Sequence, residues 1–202
     1  MKLFYAPGAC SISPHIVLRE SGLKFDLDKV NFAEGKTDGG LDFKAINPKS
    51  QVPTLQLDDG SVLTEGAVIV QYIADQAPQS GLIPAAGTME RYRVQEWLNF
   101  TASELHKNIA PLFRPTTPDA YKEIANQTMD RKLNDLERHL KGKQYVMGDK
   151  FTVADAYCYT VLRWTPRAKI DLAKYPAVKA YFDRVAARPK VKEVLEAEGL
   201  TA

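Results

Sequence analysis

Cysteine and histidine are scarce in this chain. There are two cysteines, Cys10 and Cys158, and three histidines, His15, His106 and His139, among 202 residues. Two cysteines cannot build the disulfide framework of a small secreted domain, and neither has a partner at zinc-ligand spacing. The histidines are scattered without an HExxH pattern, so no metal site is expected. An excess of charge of one sign is also lacking: 27 Lys and Arg against 25 Asp and Glu leave a net charge of +2, too little for a nucleic-acid surface. Long hydrophobic runs are missing too. The first, Leu3 to Ala6, stops at Pro7-Gly8 and is too short for a signal-peptide core. The longest, near Ala67 to Ala74, carries a glutamine and falls far short of a membrane span. The expectation is a soluble, cytoplasmic protein with no membrane partner. With 45% hydrophobic and 26% charged residues, the chain has the balance of an ordinary globular protein.

What is present divides in two. The first part alternates strand and helix patterns. Residues 2–6 read as a buried strand. Residues 11–21 read as a helix in which Pro14 is tolerable only in the first turn, with Gly22 ending it. Residues 25–32 alternate like a strand, and 33–50 read as a loop with one short helix. Residues 54–57 and 62–64 flank the hairpin signal Asp58-Asp59-Gly60, and 65–77 form a helix with Ile69, Tyr72 and Ile73 on one face. The β-α-β then β-β-α order demands parallel pairing in its first half and antiparallel in its second, hence a mixed, four-stranded sheet in residues 1–80. The Pro/Gly/Ser-rich stretch at 81–87 reads as a linker. After it, residues 88–202 show no strand. A long amphipathic helix starts near Met89, with Val94, Trp97, Leu98, Thr101, Ala102, Leu105 and Ile109 at helical spacing. A second helix runs from about Pro118 to Leu140, a third opens at Thr152 and Asp155 with capping-box spacing, and short helices near 176–187 and 190–197 close the chain.

Four groups of residues have the pattern of a site. Cys10 stands at the mouth of the first helix, where unsatisfied N–H groups and the helix dipole favour a thiolate; a small buried apolar residue is the alternative. Cys10-Ser11-Ile12-Ser13 has C-x-x-C spacing with serine in the second place, which excludes an internal dithiol cycle but allows a mixed disulfide with an external thiol. Val52-Pro53 precedes a strand; a cis bond there would open the Val52 peptide groups to an extended ligand. Thr64-Glu65-Gly66 starts a helix, with N–H groups suited to a carboxylate and Glu65 to an ammonium; the alternative is a charge serving the helix dipole. Asn99, Ser103 and His106 share one side of the long helix, beside its apolar stripe, as a site edge or as solvated surface. Cys158 lies in an apolar helical run and reads as buried filler.

These residues carry a resemblance. "MKLFYAPGACS…PHIVLRESG", "NPKSQVPTLQLDDG", "LTEGAVIVQYIAD", "WLNF…SELHK", "FTVADAY" and the closing "AEGL" are similar, in order and over nearly the whole chain, to the bacterial beta-class glutathione transferases. The resemblance implies a thioredoxin-like first domain, an all-helical second domain, a homodimer, and a detoxification role in which glutathione is co-substrate and no other cofactor is needed. It implies that Cys10 meets the glutathione sulfur, that Val52, beside Pro53, pairs with the cysteinyl backbone, and that Glu65 and Gly66 hold the γ-glutamyl end. Asn99, Ser103, Glu104, His106 and Lys107 would face the site, with Glu104 reaching across the dimer. His106 would hydrogen-bond the thiol or order a water; the alternative is a structural histidine. Leu112, Phe113, Tyr157 and Trp164 would line a pocket for small hydrophobic electrophiles. The chain departs from the family pattern twice. Gly35 stands where a lysine is common, leaving Lys36 as the nearest candidate for the glycyl carboxylate, and Gly66 stands where a hydroxyl often follows the glutamate. Three activities are compatible with these residues: conjugation, glutathione-dependent dehalogenation or thiol reduction, and non-catalytic binding of hydrophobic ligands or a scaffold role.

Overall fold

A computed structural model describes residues 1–201. The chain divides into two compact units, residues 1–83 with 189 onward, and residues 84–188.

The first unit is a mixed sheet with helices. Strand β1 (Lys2–Tyr5) pairs in parallel with β2 (Asp26–Asn31) and antiparallel with β4 (Thr54–Gln56), and β4 pairs antiparallel with β5 (Val62–Thr64). These are the four strands and the mixed pairing expected from the sequence. A two-residue strand, β3 (Lys36–Thr37), joins the edge beside β2, in a stretch that sequence reading leaves as loop, so the order is β3-β2-β1-β4-β5. Two residues are too few to show an alternation. The crossover from β1 to β2 is helix α1 (Ile12–Ser21). Pro14 sits in its first turn, where the missing N–H has no partner to lose, and Gly22 closes it at φ 73°. The short helix α2 (Phe43–Ile46) precedes β4, and α3 (Gly66–Asp75) follows β5. Leu3, Phe4, Ile12, Ile16, Val17, Leu55, Ile69 and Ile73 are fully buried in the core, each worth about 1.5–3 kcal/mol of burial.

The second unit is helical. The long segment after Met89 is not one α-helix. It runs as α4 (Met89–Phe100), a π-helical turn (Thr101–His106), α5 (Lys107–Ile109) and a 3₁₀ turn (Ala110–Phe113). Its apolar stripe is nonetheless buried at Val94, Leu98, Thr101, Leu105 and Ile109. Helix α6 (Asp119–Leu140) buries Ala125, Met129, Leu133, Leu136 and Leu140, spaced three or four residues apart. Helix α7 (Val153–Leu162) is buried along its whole length and begins with the capping box expected of Thr152 and Asp155. Asp155 accepts from the Val146 N–H at 2.7 Å and from the Thr152 N–H at 2.8 Å. Helix α8 (Pro176–Ala186) completes the unit. Cys158, 1% exposed in α7, is the filler its apolar neighbourhood predicts, and burial pushes its thiol up to about 12.

Helix α9 (Pro189–Ala197) packs against α1 and clusters with the first unit, whereas the sequence reading places it in the helical domain. Beyond it, Glu198 makes the tie. Its carboxylate accepts from His15 Nδ1 at 2.9 Å and from the Gly8 N–H at 3.2 Å, with both side chains fully buried. No helix among the described residues is long and apolar enough to cross a membrane.

Candidate functional site

Within the first unit, the turn after β1 delivers Cys10 to the start of α1. Ser11 fixes that turn: its Oγ accepts from the Ala6 N–H at 3.2 Å and donates to the Ala6 carbonyl at 3.1 Å. The Cys10 Sγ lies 3.1 Å from the Val52 carbonyl, to which the thiol donates. A donated hydrogen bond requires the proton, and the electrostatics agree with the geometry. Burial pushes the thiol up to about 11, against the smaller opposing effect of the Cys10 and Ser11 N–H groups, and the Glu65 carboxylate raises it further. The thiolate favoured by the helix-mouth argument is therefore not the form in the ligand-free protein. Desolvation outweighs the few N–H groups that reach the sulfur.

The Val52-Pro53 peptide is cis. While the Val52 carbonyl accepts from Cys10, its N–H has no acceptor among the described residues, so it is open to one. Pro53 is buried against the start of α3: a Cβ added to Gly66 would lie 3.5 Å from Pro53 Cγ and 3.9 Å from Ser13 Oγ. Ser13 in turn donates to the Cys10 carbonyl at 2.9 Å. Cys10, Val52, Pro53 and Gly66 are thus brought together from three separated stretches of the chain.

Glu65 caps α3 in an unusual way. Its φ is +70°, a conformation uncommon for a residue with a side chain, and the side chain makes no capping bond. Instead the exposed carboxylate pairs with Lys49 at 2.9 Å, and the Lys49 ammonium also reaches Thr64 Oγ1 at 3.4 Å. The N–H groups of Gly66 and Ala67 have no acceptor among the described residues. One corner therefore offers an anion, a cation and two free N–H donors, which is the complement of an α-amino acid head group. Sequence reading missed Lys49, because a lysine in a loop gives no periodic signal. Lys36 lies elsewhere, exposed on β3 at the far edge of the sheet from β5.

Within the second unit, the π turn carries Ser103, Glu104 and His106, with Asn99 one turn before it and Lys107 just after. Asn99 and Lys107 are exposed. Ser103 Oγ donates to the Asn99 carbonyl at 3.0 Å and lies 3.2 Å from Glu104 Oε1. Glu104 pairs with Lys132 of the same chain at 2.9 Å, which holds its carboxyl below the usual range. His106 hydrogen-bonds Tyr157 through Nδ1 at 2.8 Å and packs edge-on against Trp164 at 4.7 Å between ring centroids. Burial first, and then the nearby Arg114, lower the His106 pKa, so the ring is neutral at pH 7. Trp164 also meets Phe113 at 6.0 Å, and the Arg167 guanidinium stacks 4.6 Å from the centre of the Phe113 ring. Of the four residues expected to line an apolar pocket, Tyr157 and Trp164 meet His106, and Phe113 joins the group through Trp164. Leu112 is half-buried on the same 3₁₀ turn as Phe113.

Comparison with known proteins shows the family of the chain. Residues 9–76 match the model "Glutathione S-transferase, N-terminal domain" and residues 100–189 match "Glutathione S-transferase, C-terminal domain". Glutathione S-transferase GstA of Escherichia coli O157:H7 is 47% identical over 200 residues, covering 99% of this chain and all of the relative. A sphingomonad glutathione S-transferase solved in complex with glutathione superposes with a TM-score of 0.95 at 48% identity, each chain covered in full. The beta-class enzyme of Sphingomonas chungbukensis gives a TM-score of 0.95 at 46% identity, again with full coverage of both. With relatives this close over its whole length, and with a thioredoxin-like sheet and a helical transferase domain, the chain belongs to the glutathione S-transferase family of enzymes, in its bacterial beta class.

Proposed function

We propose that the protein binds glutathione on its first unit and joins the glutathione sulfur to small hydrophobic electrophiles, acting as a cytoplasmic homodimer. One observation carries this reading: Cys10, the open Val52 N–H and the Glu65–Gly66 corner lie together. Glutathione has a matching group for each. Its γ-glutamyl ammonium suits Glu65, its α-carboxylate suits the N–H groups of Gly66 and Ala67, and its cysteinyl carbonyl suits the Val52 N–H as an added strand would. Its sulfur then falls beside Cys10. The glycyl carboxylate is assigned to Lys36, which requires the peptide to run from the β5 side toward the β3 edge.

In conjugation the protonated Cys10 serves as a hydrogen-bond donor to the glutathione thiolate. A free thiol near pKa 8.5 is only a few per cent ionised at pH 7. Lowering it by about two units yields roughly 25-fold more thiolate. Nucleophilicity falls with basicity along a slope near 0.4–0.5, which returns roughly eightfold. The net gain of about threefold is too small to account for catalysis. Holding thiolate and electrophile in contact contributes several kcal/mol more. The aromatic group of His106, Phe113, Tyr157 and Trp164, with Leu112 beside it, is assigned to the electrophile, and Asn99, Ser103, Glu104 and Lys107 to the edge of the site. Mixed-disulfide exchange through Cys10 is a secondary activity in this scheme, because a thiol raised to about 11 is a poor nucleophile at neutral pH.

Retention on immobilised glutathione, followed by turnover of a panel of aryl halides, epoxides and disulfides, tests the proposal. The expected result is elution by free glutathione and conjugation of at least one aryl halide or epoxide. Retention without turnover would leave a binding protein of this fold.

A further inference from the structure

The aromatic group in the second unit has a feature that a purely apolar pocket does not need. Two guanidiniums stand beside it, and among the described residues neither has a hydrogen-bond or carboxylate partner. Arg114 directly follows Phe113 and is exposed, close enough to His106 to act on its charge. Arg167, also exposed, lies three residues beyond Trp164, and its guanidinium stands over the face of Phe113, 4.6 Å from the ring centre. Elsewhere in this unit the arginines are engaged. Arg93 and Arg138 hold carboxylates, Arg131 a hydroxyl, Arg184 the Gln144 carbonyl, and Arg163 and Arg188 tyrosine hydroxyls. An arginine stacked on an aromatic ring keeps its in-plane N–H groups free, and those groups match a carboxylate in bidentate fashion.

We propose that the electrophile site selects planar aromatic compounds that carry an anionic group, above all an aryl carboxylate, with Arg114 and Arg167 as the residues that read the charge and Phe113 and Trp164 as the walls that hold the ring. The inference rests on the conjugation reading above and narrows it to a substrate class. The chemistry is aromatic substitution. The electron pair of the glutathione sulfur forms the C–S bond at a ring carbon bearing a halogen, and the halide leaves with the electrons of the C–halogen bond. The thiol proton goes to water. The carboxylate takes no part in bond making; its pairing with a guanidinium sets the ring's position and rejects uncharged rivals.

A matched pair of probes tests this: 4-chloro-3,5-dinitrobenzoate and its methyl ester, with kcat/KM measured for each at saturating glutathione. The ester is the more activated electrophile in solution, so both rates are divided by the uncatalysed rates. On that scale the intact enzyme favours the acid by about tenfold, and added salt reduces the preference. In Arg114→Gln/Arg167→Gln the acid-to-ester ratio falls to near one, and Arg167→Lys, which keeps charge without the planar fork, retains part of it. A role in folding alone would lower both rates together and leave the ratio in place. A ratio near one in the intact enzyme, or one that survives in the double variant, overturns the proposal while leaving conjugation standing. Turnover of neither probe by protein still retained on immobilised glutathione overturns this specificity, and conjugation falls with it only if no other aryl halide or epoxide of the panel is turned over.

Discussion

At the residue scale, Cys10 shows how far a local argument reaches. Its place at a helix mouth is legible in Pro7-Gly8-Ala9-Cys10, and the mixed-disulfide spacing in Ser13. Its protonation is not, because that depends on a carbonyl 42 residues away and on the burial the fold imposes. With the thiol at about 11, the thiolate fraction at pH 7 is on the order of one in ten thousand, and it rises with pH. Alkylation of Cys10 by iodoacetamide in the ligand-free protein should accelerate about tenfold per pH unit from pH 7 to pH 9. Peptide mapping by mass spectrometry measures it, and a plateau below pH 8 would contradict the assignment. Gly66 provides a second test. Its φ is not positive, and an added side chain meets nothing closer than 3.5 Å. Gly66→Ser should fit and add one hydrogen bond to the bound α-carboxylate, tightening glutathione by about 0.5–1.5 kcal/mol in calorimetry. Weaker binding in a folded variant would mean that the carboxylate does not sit at this helix start.

At the element scale, the parts with a strong period were the readable ones. The α1, α3 and α6 patterns, the Asp58-Asp59-Gly60 hairpin and the mixed pairing of the sheet follow from apolar spacing and turn chemistry. The two-residue β3 carries no period. The π turn at Thr101–His106 keeps an apolar residue at every fourth place, Thr101, Leu105 and Ile109, and so reads as ordinary helix. Its consequence is local: it sets which of Ser103, Glu104 and His106 share a side, and such turns recur at functional sites. The Thr152–Asp155 capping box was legible as a spacing, but the Val146 N–H that Asp155 also accepts was not. Asp155→Ala leaves the Val146 and Thr152 N–H groups buried without acceptors. The expected loss is about 3 kcal/mol, read from the urea midpoint, whereas an exposed aspartate at a helix start would cost nearer 1 kcal/mol.

At the scale of the whole molecule, the chain order does not match the grouping of its parts, since α9 and Glu198 return to the unit that begins the sequence. The closing "AEGL" contributes to the resemblance, but nothing in the linear sequence tells that Glu198 meets His15 and Gly8 across more than 180 residues. Leaving the buried His15 Nδ1–H without its acceptor costs about 1–3 kcal/mol. Glu198→Ala should therefore destabilise the protein by about that much, with the cost visible in hydrogen exchange at the Cys10 loop. A loss under about 1 kcal/mol would show the tie to be incidental. The functional account stands on a division of labour between two sulfurs, and Cys10→Ala separates them. In conjugation Cys10 gives one hydrogen bond from a weak S–H donor to the charged sulfur of glutathione, worth about 1.5 kcal/mol, so aryl-halide turnover should fall by roughly tenfold. In disulfide exchange Cys10 is itself the reacting sulfur, and Ser13 cannot replace it, so reduction of a glutathionylated disulfide should vanish. Parallel assays of both activities in the folded variant are the most direct measurement. Conjugation lowered but kept, with exchange lost, is the predicted result, and the collapse of both together would contradict the account.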